Sequence, residues 1–479
     1  MSAITFGTDG WRAIIGDDFT YENVRAVAAA TAAVFAEECG GDVAGKRLIV
    51  GYDARFEAAA FAAAAAEVLA AAGFEVLLSD RVIPTPGVCY GISRDDAAVG
   101  GIMLTASHNP SAWLGVKVRM ADGGASPAEF TDRIEEKLQR RAAAPISLSS
   151  ASTRVILTDL VASYLDGLRE TLRILAPSTP PPPTTLTVIV DPLYGAGQGY
   201  LAQMIREQDV EVIEIHAERN PSFNGLHPEP IPPWTDVAKA AVLEHGAAAA
   251  FVTDGDGDRI GAIDEHGNFV SPHRIIALLA QHLAEDLGRD GRIIKTLAAS
   301  TTIDRLGAEL GIEVVTKPIG FKWIYEEMLA GDVLIGGEES GGIGIPEHVR
   351  ERDGLLMALL LLQMMRVRQK TLGELVADFE KTVGMMYYLR RDLTLDEPTM
   401  ERFRTEVLTS TPKKIAGQPV INVDRTDGLK LLFADDEWLL LRGSGTEPLV
   451  RVYAEATTPE RLTAYLDAGE AYVRNESIS

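Results

Sequence analysis

Residues 247–259 read AAAAFVTDGDGDR. A short apolar run that stops at an Asp-Gly loop has the form of a buried strand whose carboxyl end opens into a polar site. Four other stretches repeat the form: RLIVGYDAR (47–55), GGIMLTASHNP (100–110), LTVIVDPLYGAG (186–197) and DVLIGGEESGG (332–342). Helical candidates lie between them, over 21–38, 57–72, 159–174 and 353–368. Apolar strands alternating with helices predict α/β domains with mainly parallel sheets. In such sheets ligands gather beyond the carboxyl ends of the strands, where these polar loops fall.

A chain of 479 residues exceeds one hydrophobic core and predicts three or four domains. RRAAAPISLSS (140–150) reads as a linker, and the prolines of APSTPPPPTT (176–185) as a stiff surface loop. After about residue 380 the texture changes to short strands and turns, then a helix from about 458, which suggests a smaller α+β domain.

The formal net charge of −24 argues against nucleic acid or an anionic membrane surface as a partner. An anionic substrate would need local islands of Arg and Lys. The two cysteines, Cys39 and Cys89, make no disulfide framework, and a reducing cytoplasm is the simplest expectation. LLMALLLLQMM (355–365) is too short to span a bilayer and reads as a buried helix. Oligomeric state is not legible at this level.

In DGDGDR (254–259), Asp254, Asp256 and Asp258 alternate with glycines. Three carboxylates so close repel one another unless a cation sits among them, and an all-oxygen set suits Mg²⁺ or Ca²⁺. An EF-hand is excluded by Arg259 at the sixth position, where the loop needs Gly. The alternative is an exposed Asp-Gly turn. Ser107 in TASHNP is either a turn residue or a presented nucleophile. As a phosphoserine it would suit a divalent cation and phosphoryl transfer. Lys117 offers a charge to steady that phosphate, or a proton shuttle if desolvation lowers its pKa.

RGSGTEP (442–448), with Arg451 beyond it, reads as an anion nest or a plain hairpin turn. GTDGWR (7–12) sets Arg12 after a similar turn. GGEESGG (336–342) holds no cation, so Glu338 and Ser340 suit the hydroxyls of a polyol. Lys322 follows a Gly turn in GFK and is otherwise an ordinary surface lysine.

The four loops in order, TASHNP, DGDGDR, GEESG and RGSGTEP, resemble the α-D-phosphohexomutase superfamily, and within it the phosphoglucomutase branch, over nearly the whole chain. The resemblance implies three related α/β domains and a C-terminal α+β domain around a central cleft. Boundaries are expected at 1–150, 151–266, 267–380 and 381–479. It also implies Ser107 as phosphoserine and metal ligand, with Asp254, Asp256 and Asp258 completing a Mg²⁺ site. Arg12, His108, Lys117 and Lys322 would serve the transfer, and Arg259, Glu338, Ser340, Arg442, Ser444, Gly445, Thr446 and Arg451 would bind substrate.

The implied reaction interconverts glucose 1-phosphate and glucose 6-phosphate through glucose 1,6-bisphosphate. Mannose or dual specificity, a glucose 1,6-bisphosphate synthase and a non-catalytic sugar-phosphate sensor are the alternatives. Two positions depart from the wider pattern: Gly342 stands where the mannose and glucosamine branches usually carry His, and Leu114 where Asn is frequent.

Overall fold

The computed structural model describes residues 4–7, 9–140, 154–179, 186–443 and 449–475. One strand–helix–strand–helix–strand–strand unit occurs three times. In the first, Arg47–Tyr52, Glu75–Ser79 and Ala98–Leu104 run parallel and Trp113–Met120 turns back along the third strand. The second uses Thr187–Asp191, Glu211–Glu214, Ala249–Thr253 and Ile260–Asp264. The third uses Arg292–Thr296, Val314–Lys317, Val333–Gly337 and Ile343–Gly344. In each, the first strand lies between the second and third, and the fourth pairs antiparallel with the third.

The loop between third and fourth strands is therefore the same topological position three times. It contains Ser107 in the first unit, Asp254, Asp256 and Asp258 in the second, and Glu338 in the third. A single rule of chain tracing brings all three loops to the carboxyl ends of parallel strands.

Two expected boundaries move. Val155–Thr158, assigned to the second domain by the sequence reading, pairs parallel with Glu75–Ser79 and becomes the outer strand of the first sheet. Phe269–Val270 pairs with Ile260–Asp264 and closes the second sheet past residue 266. Both strands satisfy backbone groups that would otherwise be an open edge. Residues 141–150 and 180–185 of the two proposed linker segments lie outside the described residues.

The helix Gly354–Arg368 is buried on every face through Leu362, as its unbroken apolar run requires. Asp353 caps it by accepting from Leu356 N–H at 2.9 Å, and Tyr164 donates to the same carboxylate at 3.0 Å. Among the described residues no helix is long and apolar enough to cross a membrane.

The C-terminal part is an antiparallel sheet ordered Tyr387–Thr394, Leu449–Ala456, Trp438–Gly443, Leu429–Leu432, Asn422–Asp424, with the helix Pro459–Arg474 on one face. Its other face docks on the third unit through an apolar cluster of Leu297, Ala298, Trp438, Leu440 and Tyr453 and through polar contacts. Glu455 Oε2 accepts from Trp438 Nε1 at 2.8 Å and from Thr301 N–H at 2.9 Å. Lys430 Nζ lies 4.0 Å from the Trp438 ring centroid and donates to Leu297 O at 2.7 Å. Burial, then the nearby Lys295, pull the Lys430 ammonium down to about 7, against the opposing pull of Glu455, Asp304 and Asp424.

Between pH 7 and the ordinary lysine value near 10.5, the unfolded chain binds a proton that the fold releases, so stability rises with pH across that window. Lys430→Met removes this slope. The melting temperature of the variant relative to wild type is expected to be higher at pH 7 than at pH 9, measured by calorimetry. A pH-independent difference would show that Lys430 stays charged in the fold.

Candidate active site

Ser107 follows the strand Ala98–Leu104 in a left-handed conformation, φ +50°, with its backbone N–H donating to Thr105 Oγ1 at 2.8 Å. This strained turn aims Oγ at the second unit, where it donates to Asp254 Oδ2 at 3.0 Å. His108 Nδ1 is 3.5 Å from the same Oγ. Burial, then Arg259 and Arg12, hold the His108 ring well below the usual imidazole range. Arg12 donates to Asn109 Oδ1 at 2.7 Å and ties the N-terminal turn to the serine loop.

The serine loop is shaped by a side chain that sequence reasoning missed. Arg55 is 2% exposed and donates to four of the loop's carbonyls: Ser107 at 2.6 Å, Asn109 at 2.7 Å, Pro110 at 2.8 Å and Trp113 at 3.0 Å. Asp53 holds its Nε at 3.0 Å, and Phe223 lies under the guanidinium at 4.9 Å. The signal was present in GYDAR, where an Asp-x-Arg ends an apolar strand.

Asp254, Asp256 and Asp258 are all fully buried and each can offer an oxygen within 4.8 Å of the others. Asp254 Oδ1 accepts from the backbone N–H groups of Asp258 and Arg259, which curls the loop. Asp256 takes Thr85 Oγ1 at 2.5 Å from the first unit. Oδ1 of Asp256 and Oδ1 of Asp258 are buried with no hydrogen-bond partner. Two orphaned carboxylate oxygens beside a serine Oγ fit a hard divalent cation. Gly255 is needed for this approach, since a Cβ there would stand 2.4 Å from Ser107 O.

Lys117 reaches into the same cluster, 2.7 Å from Asp256, 2.9 Å from Asp9 and 3.1 Å from Asp258. Of its two expected roles, the proton shuttle loses its premise, and the fixed charge that steadies a phosphate keeps its own. Burial pulls the ammonium down, but Asp256, Asp258 and Asp9 together push it above its ordinary value. Burial and the neighbouring Asp256 and Asp258 raise Asp254 well above the carboxylate range. Asp256 is held below that range because Lys117 and Thr85 outweigh its burial.

Arg352 was not anticipated either. Its Nη2 is 2.8 Å from both Asp9 and Asp258, Nη1 is 3.4 Å from Glu338, and Nε is 3.3 Å from Glu351. Asp9 in turn receives Arg119 at 3.0 Å. The sugar-type loop is stitched to the metal-type loop through Ile260 N–H donating to Gly341 O at 3.0 Å. Burial pushes Glu338 up to about 7, against the pull of Arg352. Arg259 stays within 4.0 Å of Asp254 and Asp258.

Other expected residues stand further out. Ser340 shares the Glu338 turn. Lys322 opens the helix Phe321–Ala330 with its ammonium 4.8 Å over Trp323, and no ion pair among the described residues joins it to the cluster. Leu114 is buried in the core of the first unit. Arg442 and Arg451 face each other in register on neighbouring strands. Like charges directly opposite are unfavourable without an anion between them. Arg442 is balanced by Asp427 at 2.9 Å, and Arg451 has Asp392 at 3.9 Å. Ser444, Gly445 and Thr446, expected between them, lie outside the described residues.

Comparison with known proteins places this geometry. Residues 3–144, 162–267 and 271–382 match the alpha/beta/alpha domains I, II and III described for phosphoglucomutase/phosphomannomutase, and 405–470 match the C-terminal domain. A phosphoglucosamine mutase of Frankia casuarinae is 32% identical, with 98% of each chain covered. A phosphoglucomutase/phosphomannomutase of Thermococcus kodakarensis is 26% identical over 97% of each. A solved structure from Thermus thermophilus, provisionally named a phosphomannomutase, superposes with a TM-score of 0.83 at 35% identity, covering 99% of both chains.

Replacing Arg55 by Lys leaves a single ammonium where a fork served one buried and three partly buried carbonyls. At roughly 1–3 kcal/mol for each buried acceptor left unpaired, Arg55→Lys is expected to cost about 2–4 kcal/mol. Urea unfolding followed by a probe in the first unit measures this. An unchanged midpoint would show that the serine loop holds its shape without Arg55.

Proposed function

We propose that this chain, a phosphohexomutase that belongs to the phosphoglucomutase/phosphomannomutase family, interconverts glucose 1-phosphate and glucose 6-phosphate through a phosphoserine at Ser107. The observation that carries the reading is Ser107 Oγ, 3.0 Å from Asp254, at the meeting point of three equivalent loops beside Lys117. A Mg²⁺ held by Asp254, Asp256 and Asp258, with a phosphoserine oxygen, would neutralise charge on the phosphoryl group.

In the forward half-reaction the sugar phosphate's free hydroxyl attacks phosphorus. The Ser107 O–P bond breaks as the sugar O–P bond forms, and in net terms the hydroxyl proton replaces the phosphoryl group on the serine. The product is glucose 1,6-bisphosphate. It turns over in the cleft and returns its other phosphate to Ser107, so nothing is hydrolysed. Arg55 fixes the serine loop, Lys117 and Arg12 line the transfer site, and Glu338 with Ser340 grip ring hydroxyls. Arg442 and Arg451, with Ser444, Gly445 and Thr446, hold the phosphate that is not being transferred. His108 lines the transfer site as well, and Lys322 would handle the proton.

End-for-end reorientation exchanges O3 and O4, both equatorial in glucose and mannose, so a hydroxyl-binding loop serves both orientations. The glucose preference is supported by the GEESGG loop, the GFK turn and Gly342. The relatives favour a second reading, turnover of glucosamine phosphates. Mannose phosphates are a third substrate to exclude, and bisphosphate released with an external phosphoryl donor would indicate a synthase.

Ser107→Ala is expected to abolish mutase turnover while the protein stays folded, and intact-mass spectrometry of wild type should show a fraction heavier by one phosphoryl group on Ser107. Coupled kinetics at saturating glucose 1,6-bisphosphate should give a higher kcat/KM for glucose 1-phosphate than for mannose 1-phosphate or glucosamine 1-phosphate. Full activity of Ser107→Ala would overturn the phosphoserine, and a reversed substrate order would overturn the glucose assignment alone.

A further inference from the structure

The space beside Gly342 is already taken. A Cβ built on Gly342 would stand 2.2 Å from Arg352 Cδ, 3.0 Å from its Cγ and 3.2 Å from Glu338 Oε2. No side chain fits there while Arg352 keeps its place. Arg352 is held firmly, by Asp9 and Asp258 at 2.8 Å, by Glu351 at 3.3 Å and by the Phe321 ring at 5.5 Å. It is also the one charged partner the structure gives Glu338 among the described residues, at 3.4 Å.

We propose that Arg352 is a specificity-determining residue that neutralises Glu338 at the sugar grip and so selects hexose phosphates bearing only hydroxyls over those bearing an ammonium at C2. This rests on Glu338 being the group that grips the ring. A buried carboxylate without a cation favours any ligand that brings one, because the ion pair removes its desolvation penalty. The guanidinium in place already offsets part of that penalty. A hydroxyl still donates to the carboxylate's remaining lone pairs. An ammonium one carbon away from a gripped O3 would lose its water beside a fixed positive charge and gain no unpaired anion. Discrimination of this kind comes from a repulsive element rather than from an extra contact.

The test is the ratio of kcat/KM for glucosamine 1-phosphate to that for glucose 1-phosphate. Arg352→Gln is expected to raise the ratio about tenfold or more, the factor set by one charge-assisted hydrogen bond at the low end of its range. Arg352→Lys, which keeps the charge, should leave the ratio within about twofold of wild type, whatever it does to turnover. An unchanged ratio in Arg352→Gln overturns the proposal.

Arg352 sits among four carboxylates, so a second arm uses wild-type enzyme alone. The sugar amine loses its proton near pH 8, as α-amino groups do. Between pH 7 and pH 9 the wild-type ratio should therefore rise; pH effects on groups that act alike on both substrates cancel in it, and ionisation of Glu338 over the same range moves it in the same direction. A flat ratio overturns the charge argument even if Arg352→Gln does not fold. A wild-type ratio above one at pH 7 would overturn the glucose assignment instead, and the change on Arg352→Gln would still decide this proposal.

Discussion

Three carboxylates on one tight loop cannot be buried unless something offsets their charge, and the arrangement of this molecule follows from that constraint. Each ion moved out of water costs several kcal/mol if left uncompensated. The second unit does not supply the compensation alone. Lys117 comes from the first unit and Arg352 from the segment leading into the buried helix, while Arg259 is local. The cluster therefore exists only when the units are packed together. One oxygen on Asp256 and one on Asp258 still lack a hydrogen-bond donor.

The repetition of one strand order explains how three distant segments meet. Each unit places its third-to-fourth strand loop at the carboxyl end of its sheet, and the loops then contact each other through backbone as well as side chains. Gly255 packs against Ser107 O, and Ile260 N–H bonds to Gly341 O. Side chains that touch no reacting atom hold this assembly: Arg55 braces the serine loop, and Asp9 gathers Lys117, Arg119 and Arg352. Positioning of this kind is where phosphoryl transfer gains most of its rate, since little covalent chemistry is asked of the protein.

Much of the site was legible because its motifs are local. Asp254, Asp256 and Asp258 announce themselves by alternation with Gly, and the apolar runs before each loop mark the strands that carry them. The buried helix at 354–368 was equally plain from its length and composition. The strand Val155–Thr158 was misplaced because nothing in four residues says which sheet has a free edge for them.

What the sequence by itself determined is the set of chemically able groups and the elements that present them, since strand period, turn residues and charge type are properties of short windows. The tertiary structure alone decided their states and partners. Lys117 is desolvated, as expected, yet its pKa rises because three carboxylates from two units surround it. Gly342 read as a missing side chain, yet the space is filled by an arginine ten residues on. Burial and charge pairing depend on distances between residues far apart in the chain, and no local pattern encodes those distances.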